Sequence, residues 1–169
     1  ATVNKGDYLP IEKTYSITIK AKGVAGISVD ITLDSAKITA AALELATVTV
    51  DGVAATRSGY TFTASTVSAG EHTAVISRPG FVTKTITFVT TAEAVVDASV
   101  ITSVVMIAGD VNNDGIVSLA DFNLLRASFN TKKAMVGASW NDAIDFNGDE
   151  QISLADFNVL KANFNYKRK

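Results

Sequence analysis

The segment Asp110-Val-Asn-Asn-Asp-Gly-Ile-Val-Ser-Leu-Ala-Asp121 returns 35 residues later as Asp145-Phe-Asn-Gly-Asp-Glu-Gln-Ile-Ser-Leu-Ala-Asp156. In each copy side-chain oxygens fall at positions 1, 3, 5, 9 and 12. A tight loop that aims alternate residues inward gathers such oxygens around one point. Ca²⁺ takes about six to eight oxygens at about 2.3–2.6 Å, so the spacing reads as a calcium loop. The first copy offers Asp110, Asn112, Asp114, the carbonyl of Ile116, Ser118 and Asp121. The second offers Asp145, Asn147, Asp149, the carbonyl of Gln151, Ser153 and Asp156. One acidic loop could be a solvated turn, but two in register point to two bound Ca²⁺ ions.

Both loops are EF-hand-like, yet they differ from a sensor. Position 12 is Asp in each, where sensors use the longer, bidentate Glu. Val104-Val-Met-Ile-Ala108 before the first loop reads as a strand end, and Gly137-Ala-Ser-Trp140 before the second is a poor helix. Each unit is then a loop with one exiting helix, and its calcium is structural. Position 6, where the chain turns sharply, is Gly115 in the first loop and Glu150 in the second. The second loop is therefore expected to bind more weakly, with Gly148 at position 4 relaxing part of the strain.

The repeat runs on, as Ser118-Leu-Ala-Asp-Phe-Asn-Leu-Leu-Arg-Ala-Ser-Phe-Asn130 matches Ser153-Leu-Ala-Asp-Phe-Asn-Val-Leu-Lys-Ala-Asn-Phe-Asn165. At about 100° per residue, Phe122, Leu125 and Phe129 share a stripe, as do Phe157, Leu160 and Phe164. Those stripes are expected to be core. Opposite them lie Ala120, Asn123, Leu124 and Ala127, repeated as Ala155, Asn158, Val159 and Ala162. Leu119 with Arg126, and Leu154 with Lys161, flank the two strips. A free surface helix carries charge on such a face. A small, apolar strip suggests a protein interface on at least one helix, against the alternative that it packs inside the chain.

The duplicated loop–helix unit, opening Gly109-Asp110-Val-Asn-Asn-Asp-Gly115 and closing on Asp at position 12, resembles the dockerin domains of cellulosomes over residues 108–166. That resemblance implies a calcium-dependent plug for a cohesin domain of a scaffoldin or anchoring protein. It places recognition at Leu119, Ala120, Arg126, Ala127 and Thr131, and at Leu154, Ala155, Lys161, Ala162 and Tyr166. Many enzyme-borne dockerins have a hydroxyl pair at positions 10 and 11. This chain has Leu-Ala twice, which implies a more apolar contact and leaves the cohesin class open.

Upstream, β-branched residues alternate with small or polar ones. Tyr15-Ser-Ile-Thr-Ile-Lys20, Ile27-Ser-Val-Asp-Ile-Thr-Leu33, Thr47-Val-Thr-Val50, Tyr60-Thr-Phe-Thr63, His72-Thr-Ala-Val-Ile-Ser77 and Phe81-Val-Thr-Lys-Thr-Ile-Thr-Phe-Val89 read as half-buried strands. Asp51-Gly52, Ser58-Gly59, Ala69-Gly70 and Pro79-Gly80 punctuate them as turns. The Ala-rich stretch 34–45 fits a short helix or a loose connection. An all-β sandwich follows. From Thr47 to Thr87 it is similar to prealbumin-like (Ig-like) or carboxypeptidase-regulatory-like sandwich modules, a look shared by the X-modules beside dockerins at scaffoldin C-termini. The expected architecture is multidomain: a β-sandwich at 1–106, then a small all-α dockerin at 107–169. A strand over 95–108 leads into the first loop with no Pro- or Ser-rich tether, so the parts should pack together.

Charge narrows the function. Residues 1–106 carry 8 basic and 9 acidic groups and residues 107–169 carry 7 and 8, with no basic stripe for nucleic acid or an anionic membrane. No membrane span is apparent, and the lack of cysteine excludes a disulfide framework. Sites of this type fill at extracellular calcium, which favours a secreted protein. The chain opens Ala1-Thr-Val without Met and reads as the C-terminal piece of something longer. In the sandwich the acids Asp7, Glu12, Asp30, Asp34, Glu44, Asp51, Glu71, Glu93 and Asp97 are scattered singly, and His72 reads as a lone surface histidine. No paired carboxylates or nucleophile–base set emerges, so a non-enzyme without a small-molecule substrate is expected. The rival reading is a calcium-stabilised carbohydrate- or cell-wall-binding β module. It lacks an aromatic platform, since the one Trp is Trp140 and Tyr8, Tyr15 and Tyr60 read as core.

Overall fold

The structure, a computed structural model, describes residues 27–90 and 100–168. The expected strand at 15–20, with Tyr8, Tyr15, Asp7, Glu12, Glu93 and Asp97, lies outside the described residues.

Two four-stranded sheets face each other. One runs β4 (Thr56–Ser58), β5 (Thr61–Val67), β1 (Ile27–Leu33), β9 (Val100–Val104); the other runs β3 (Val53–Ala54), β2 (Thr47–Val50), β6 (Gly70–Ser77), β8 (Lys84–Thr90). Period two sorts their side chains. Val29, Ile31, Leu33, Phe62 and Ala64 from the first sheet, and Val48, Val50, Ala74 and Ile76 from the second, are buried. β9 pairs in parallel with β1, and the remaining ladders of the two sheets are antiparallel. Asp51-Gly52 closes a two-residue hairpin between Val50 and Val53, both at positive φ as a type I′ turn requires. The Ala-rich stretch yields one helical turn, α1 (Ala40–Leu43), capped by the Thr39 hydroxyl.

The segment expected as one strand at 81–89 is two. β7 (Gly80–Val82) breaks off before β8 and pairs with β10 (Ile107–Asp110), which carries the first loop's leading aspartate. Val105 and Met106 separate β10 from β9. α2 (Leu119–Ala127) and α4 (Leu154–Ala162) pack on β10, while α3 (Lys133–Val136) and a 3₁₀ turn at Gly137–Ser139 precede the second loop. One buried cluster runs from Val29 and Ile76 through Phe81 and Ala108 to Leu125, Phe146, Ile152 and Leu160. A shared core of this kind holds two small units as one.

His72 corrects the sequence reading, because it is buried rather than on the surface. Its Nδ1 donates to Asp51 Oδ2 at 2.6 Å and its Nε2 to the Ser68 carbonyl at 3.0 Å. A carboxylate and a carbonyl both accept, so the protonated ring is the form that satisfies both contacts at once. The hydrogen bond to Asp51 raises its pKa, and Asp51 is held low by the Thr73 amide and by His72. Asp51 thereby ties the β2–β3 turn to β6, a structural role.

The sign of the pH effect follows. His72's folded pKa lies above 6.5, so its contribution is complete below that value and fades as pH rises through the raised one. Asp51's contribution is complete above 3.8 and fades as pH falls through its lowered value. Thermal melts of the wild type and His72→Gln should therefore differ most between about pH 4 and 6.5 and converge on the alkaline side. A gap independent of pH would show that the pair carries no charge.

Candidate functional site: the duplicated acidic loops

Each loop is built on two carboxylates. Asp110 Oδ1 accepts from the Asp114 amide at 2.9 Å and its Oδ2 from the Gly115 amide at 3.0 Å. Asp145 does the same with Gly148 at 2.8 Å and Glu150 at 2.9 Å. At position 12, Asp121 accepts from Val111 at 2.8 Å and Ser118 at 2.9 Å, and Asp156 from Phe146 and Ser153, both at 2.9 Å. These bonds wind the loop and start the helix at once. Ser118 and Ser153 are the N-caps of α2 and α4, with Asp121 and Asp156 closing capping boxes. Asn112 and Asn147 reach the position-5 acids, Asp114 and Asp149, at 2.8 and 2.9 Å.

Asp110, Asp121 and Asp156 are 0 % exposed and Asp145 is 4 % exposed, a costly state for a carboxylate without a compensating charge. Burial pushes the carboxyls of Asp110, Asp145 and Asp156 up, against the pull of the loop amides. The side-chain ion pairs among the described residues are Arg57–Glu44, His72–Asp51 and Lys133 with Asp142 and Glu150, and they leave these four acids aside. Among the described residues no three His, Cys, Asp or Glu side chains already converge as a cage. The amide bonds leave lone pairs on the carboxylate oxygens, which have about four acceptor sites each group. Hard oxygen donors, buried and short of positive charge, fit a cation such as Ca²⁺.

Backbone strain falls at the same two positions of each loop. Asn113 and Gly115 have φ of 58° and 82°, and Gly148 and Glu150 have 73° and 62°. The first loop thus puts glycine at position 6 and the second at position 4, leaving Glu150 in the left-handed region that the sequence comparison anticipates.

The two units are related by an approximate two-fold. Val117 exchanges backbone bonds with Asn165 and Tyr166, and Ile152 with Asn130 and Thr131, so each loop is closed by the tail of the other repeat's helix. Phe122 and Phe157 meet edge-on across the axis at 5.8 Å. Leu125 and Leu160 are buried as expected. Phe129 and Phe164, expected as core, are 40 % and 43 % exposed. The helices end at Ala127 and Ala162, so the 100° step no longer applies at these residues.

On the outer face Leu119, Ala120, Asn123, Leu124, Arg126 and Ala127 of α2 are exposed, and so are Leu154, Ala155, Asn158, Lys161 and Ala162 of α4. Tyr166 is exposed and Thr131 is half-buried, its hydroxyl donating to Ser128. Val159 departs from its repeat partner Leu124. It is half-buried and lines a cleft with Phe81, Ala108 and Phe146, facing the sandwich. An apolar hollow of about 430 Å³ between the helices is lined by Phe122, Leu125, Arg126, Phe129, Leu154 and Phe157.

Sequence reasoning missed Arg78. Its buried guanidinium donates to the carbonyls of Pro79 at 2.7 Å, Asp142 at 3.1 Å and Asp145 at 2.6 Å, joining sandwich to second loop. A single arginine beside a Pro-Gly turn carries no periodicity that would have flagged it.

Residues 108–165 match the family described as dockerin type I domain. No curated protein matches the chain significantly. Among solved structures, an N-terminal-interface mutant of a type II cohesin–X-dockerin complex from Acetivibrio cellulolyticus is similar at 26 % identity and a TM-score of 0.62, covering 84 % of this chain and 97 % of that one. A C-terminal-interface mutant of that type II complex shares the fold at 24 % identity and a TM-score of 0.63, with the same coverage.

Replacing Glu150 by Gly removes a strained left-handed residue worth about 1 kcal/mol. Urea melts of Glu150→Gly should show a gain of about 0.5–1 kcal/mol, and Gly115→Glu a loss at least as large. No gain from Glu150→Gly, or no loss from Gly115→Glu, would mean that φ does not govern the loops.

Proposed function

We propose, for a chain that joins an X-module sandwich to a dockerin type I domain at residues 108–165, a non-catalytic role in cellulosome assembly: binding a cohesin domain of a scaffoldin or anchoring protein. The observation that carries it is the exposed strip of apolar and small side chains on α2, repeated in part on α4, on helices whose loops bury four acids. Dockerin domains of this family generally bind calcium. We assign one ion to each loop, held by Asp110, Asn112, Asp114, the Ile116 carbonyl and Asp121, and by Asp145, Asn147, Asp149, the Gln151 carbonyl and Asp156. Ser118 and Ser153 are engaged as helix caps, so their share is assigned through water.

The bound ions supply charge and geometry. Two Ca²⁺ turn the 7 basic and 8 acidic groups of residues 107–169 into a net positive unit, suited to a cohesin face with an apolar centre and an acidic rim. The proposed contact is Leu119, Ala120, Asn123, Leu124, Arg126, Ala127 and Thr131, together with Leu154, Ala155, Asn158, Lys161, Ala162 and Tyr166. Val159 belongs to the seam with the sandwich rather than to this face. The sandwich, residues 1–106, acts as a brace. Its exposed large apolar side chains among the described residues are Leu45, Val53 and Val89, which favours assembly over carbohydrate stacking. The setting is extracellular, in a cellulosome at the cell surface.

Adding EDTA should abolish helical circular dichroism and cohesin binding together, because the small helical unit depends on its ions. Retention of both would contradict structural calcium.

The two strips are not equivalent, since Leu124 is open where Val159 is covered. A single binding mode led by α2 follows. Replacing Leu119 and Ala120 by Asp should cost several kcal/mol in cohesin affinity and replacing Leu154 and Ala155 distinctly less. If each pair alone is harmless and only the quadruple change abolishes binding, two orientations are in use.

A further inference from the structure

We propose that the sandwich sets the calcium affinity of the second loop, through Arg78 and Thr39, while the first loop is independent of them. The inference rests on the calcium assignment above. The two loops are anchored differently. Asp110 ends β10, whose backbone ladder pairs Ile107 with Val82, Ala108 with Phe81 and Asp110 with Gly80. That anchor is main chain and continuous with the sandwich.

Among the described residues the second loop has no such ladder, only the isolated bridge between Gln151 and Lys132. The Arg78 Nη2 holds the carbonyl of Asp145, position 1, at 2.6 Å, and the Thr39 hydroxyl donates to the carbonyl of Asn147, position 3. Gly148, position 4, lies so close to α1 that a Cβ there would sit 2.6 Å from the Ala42 amide nitrogen. Gly80 similarly abuts the Ala143 carbonyl, just before the loop. Arg78 also reaches back to Ala42 O at 3.3 Å and lies 4.8 Å over the Phe81 ring, which meets Phe146, position 2, edge-on. Each of the loop's first four residues thus meets the sandwich side, in the loop that carries Glu150 at positive φ.

Arg78 and Thr39 act on the ion only through the backbone they position. A metal's outer partners hold its ligands in orientation, and their loss lowers affinity by about 10–100-fold. The guanidinium's charge works the opposite way, repelling a cation in the loop, so the direction of change separates positioning from charge. Thr39 is neutral and tests positioning alone.

The test is a calcium titration of the full chain, followed by ¹H–¹⁵N spectra that resolve Gly115 from Gly148 and Glu150. In Arg78→Met the Gly148 and Glu150 midpoints should rise about tenfold while Gly115 stays within about twofold. Arg78→Lys keeps the charge, reaches fewer carbonyls and should recover part of the loss. Dispersed amides of β1 and β6 in the same spectra establish that the sandwich is folded. If Arg78→Met does not fold, Thr39→Val carries the test, with a smaller rise confined to the second loop. An equal shift of both loops, no shift, or tighter binding in Arg78→Met overturns the proposal. If no amide of the unaltered chain responds to calcium, it is the calcium assignment that fails.

Discussion

Each acidic loop is closed by two aspartates whose oxygens hold the backbone amides of the turn and of the following helix. Asp121 and Asp156 reach the second loop residue on one side and the helix cap on the other, so loop curvature and helix start are one event. The exchange of backbone bonds between Val117 and Tyr166, and between Ile152 and Thr131, then locks the two units around Phe122 and Phe157. All of this depends on buried carboxylates that make no direct side-chain ion pair among the described residues, with the Arg78 guanidinium near those of the second loop alone. The cation proposed for each loop would offset that cost.

The sandwich makes a symmetric object asymmetric. Its Arg78–Val82 segment enters between the starts of the two loops, pairing with β10 on one side and holding Asp142 and Asp145 on the other. Burial pulls the Arg78 pKa down, and the nearby Asp145, Asp142 and Asp156 carboxylates oppose that pull. One consequence is local, in that Val159 is covered where Leu124 is free. Another concerns specificity: positions that the repeat makes chemically equal are unequal to a partner.

The loops, both helices and most strands were legible in the sequence because each rests on a local rule. Ligand spacing, capping serines and period-two alternation need no knowledge of the rest of the chain. Legibility ended where tertiary context decides. Phe129 and Phe164 continue the helical stripe in sequence but lie past the helix ends. The run at 81–89 alternates smoothly, yet changes partners at Thr83, between β7 and β8. His72 looked like a surface residue because its partners, Asp51 and Ser68, come from turns distant or unremarkable in sequence. β3 and β4, of two and three residues, are too short to show a period.

In the proposed arrangement the helical faces, organised by calcium, receive a cohesin while the sandwich stands behind them. Hydrogen exchange of the full chain in calcium, with and without a cohesin domain, tests it most directly. New protection is expected over residues 117–131, weaker protection over 152–166, and none on β3 and β4. Protection confined to the sandwich strands, or none anywhere at saturating cohesin, would contradict it.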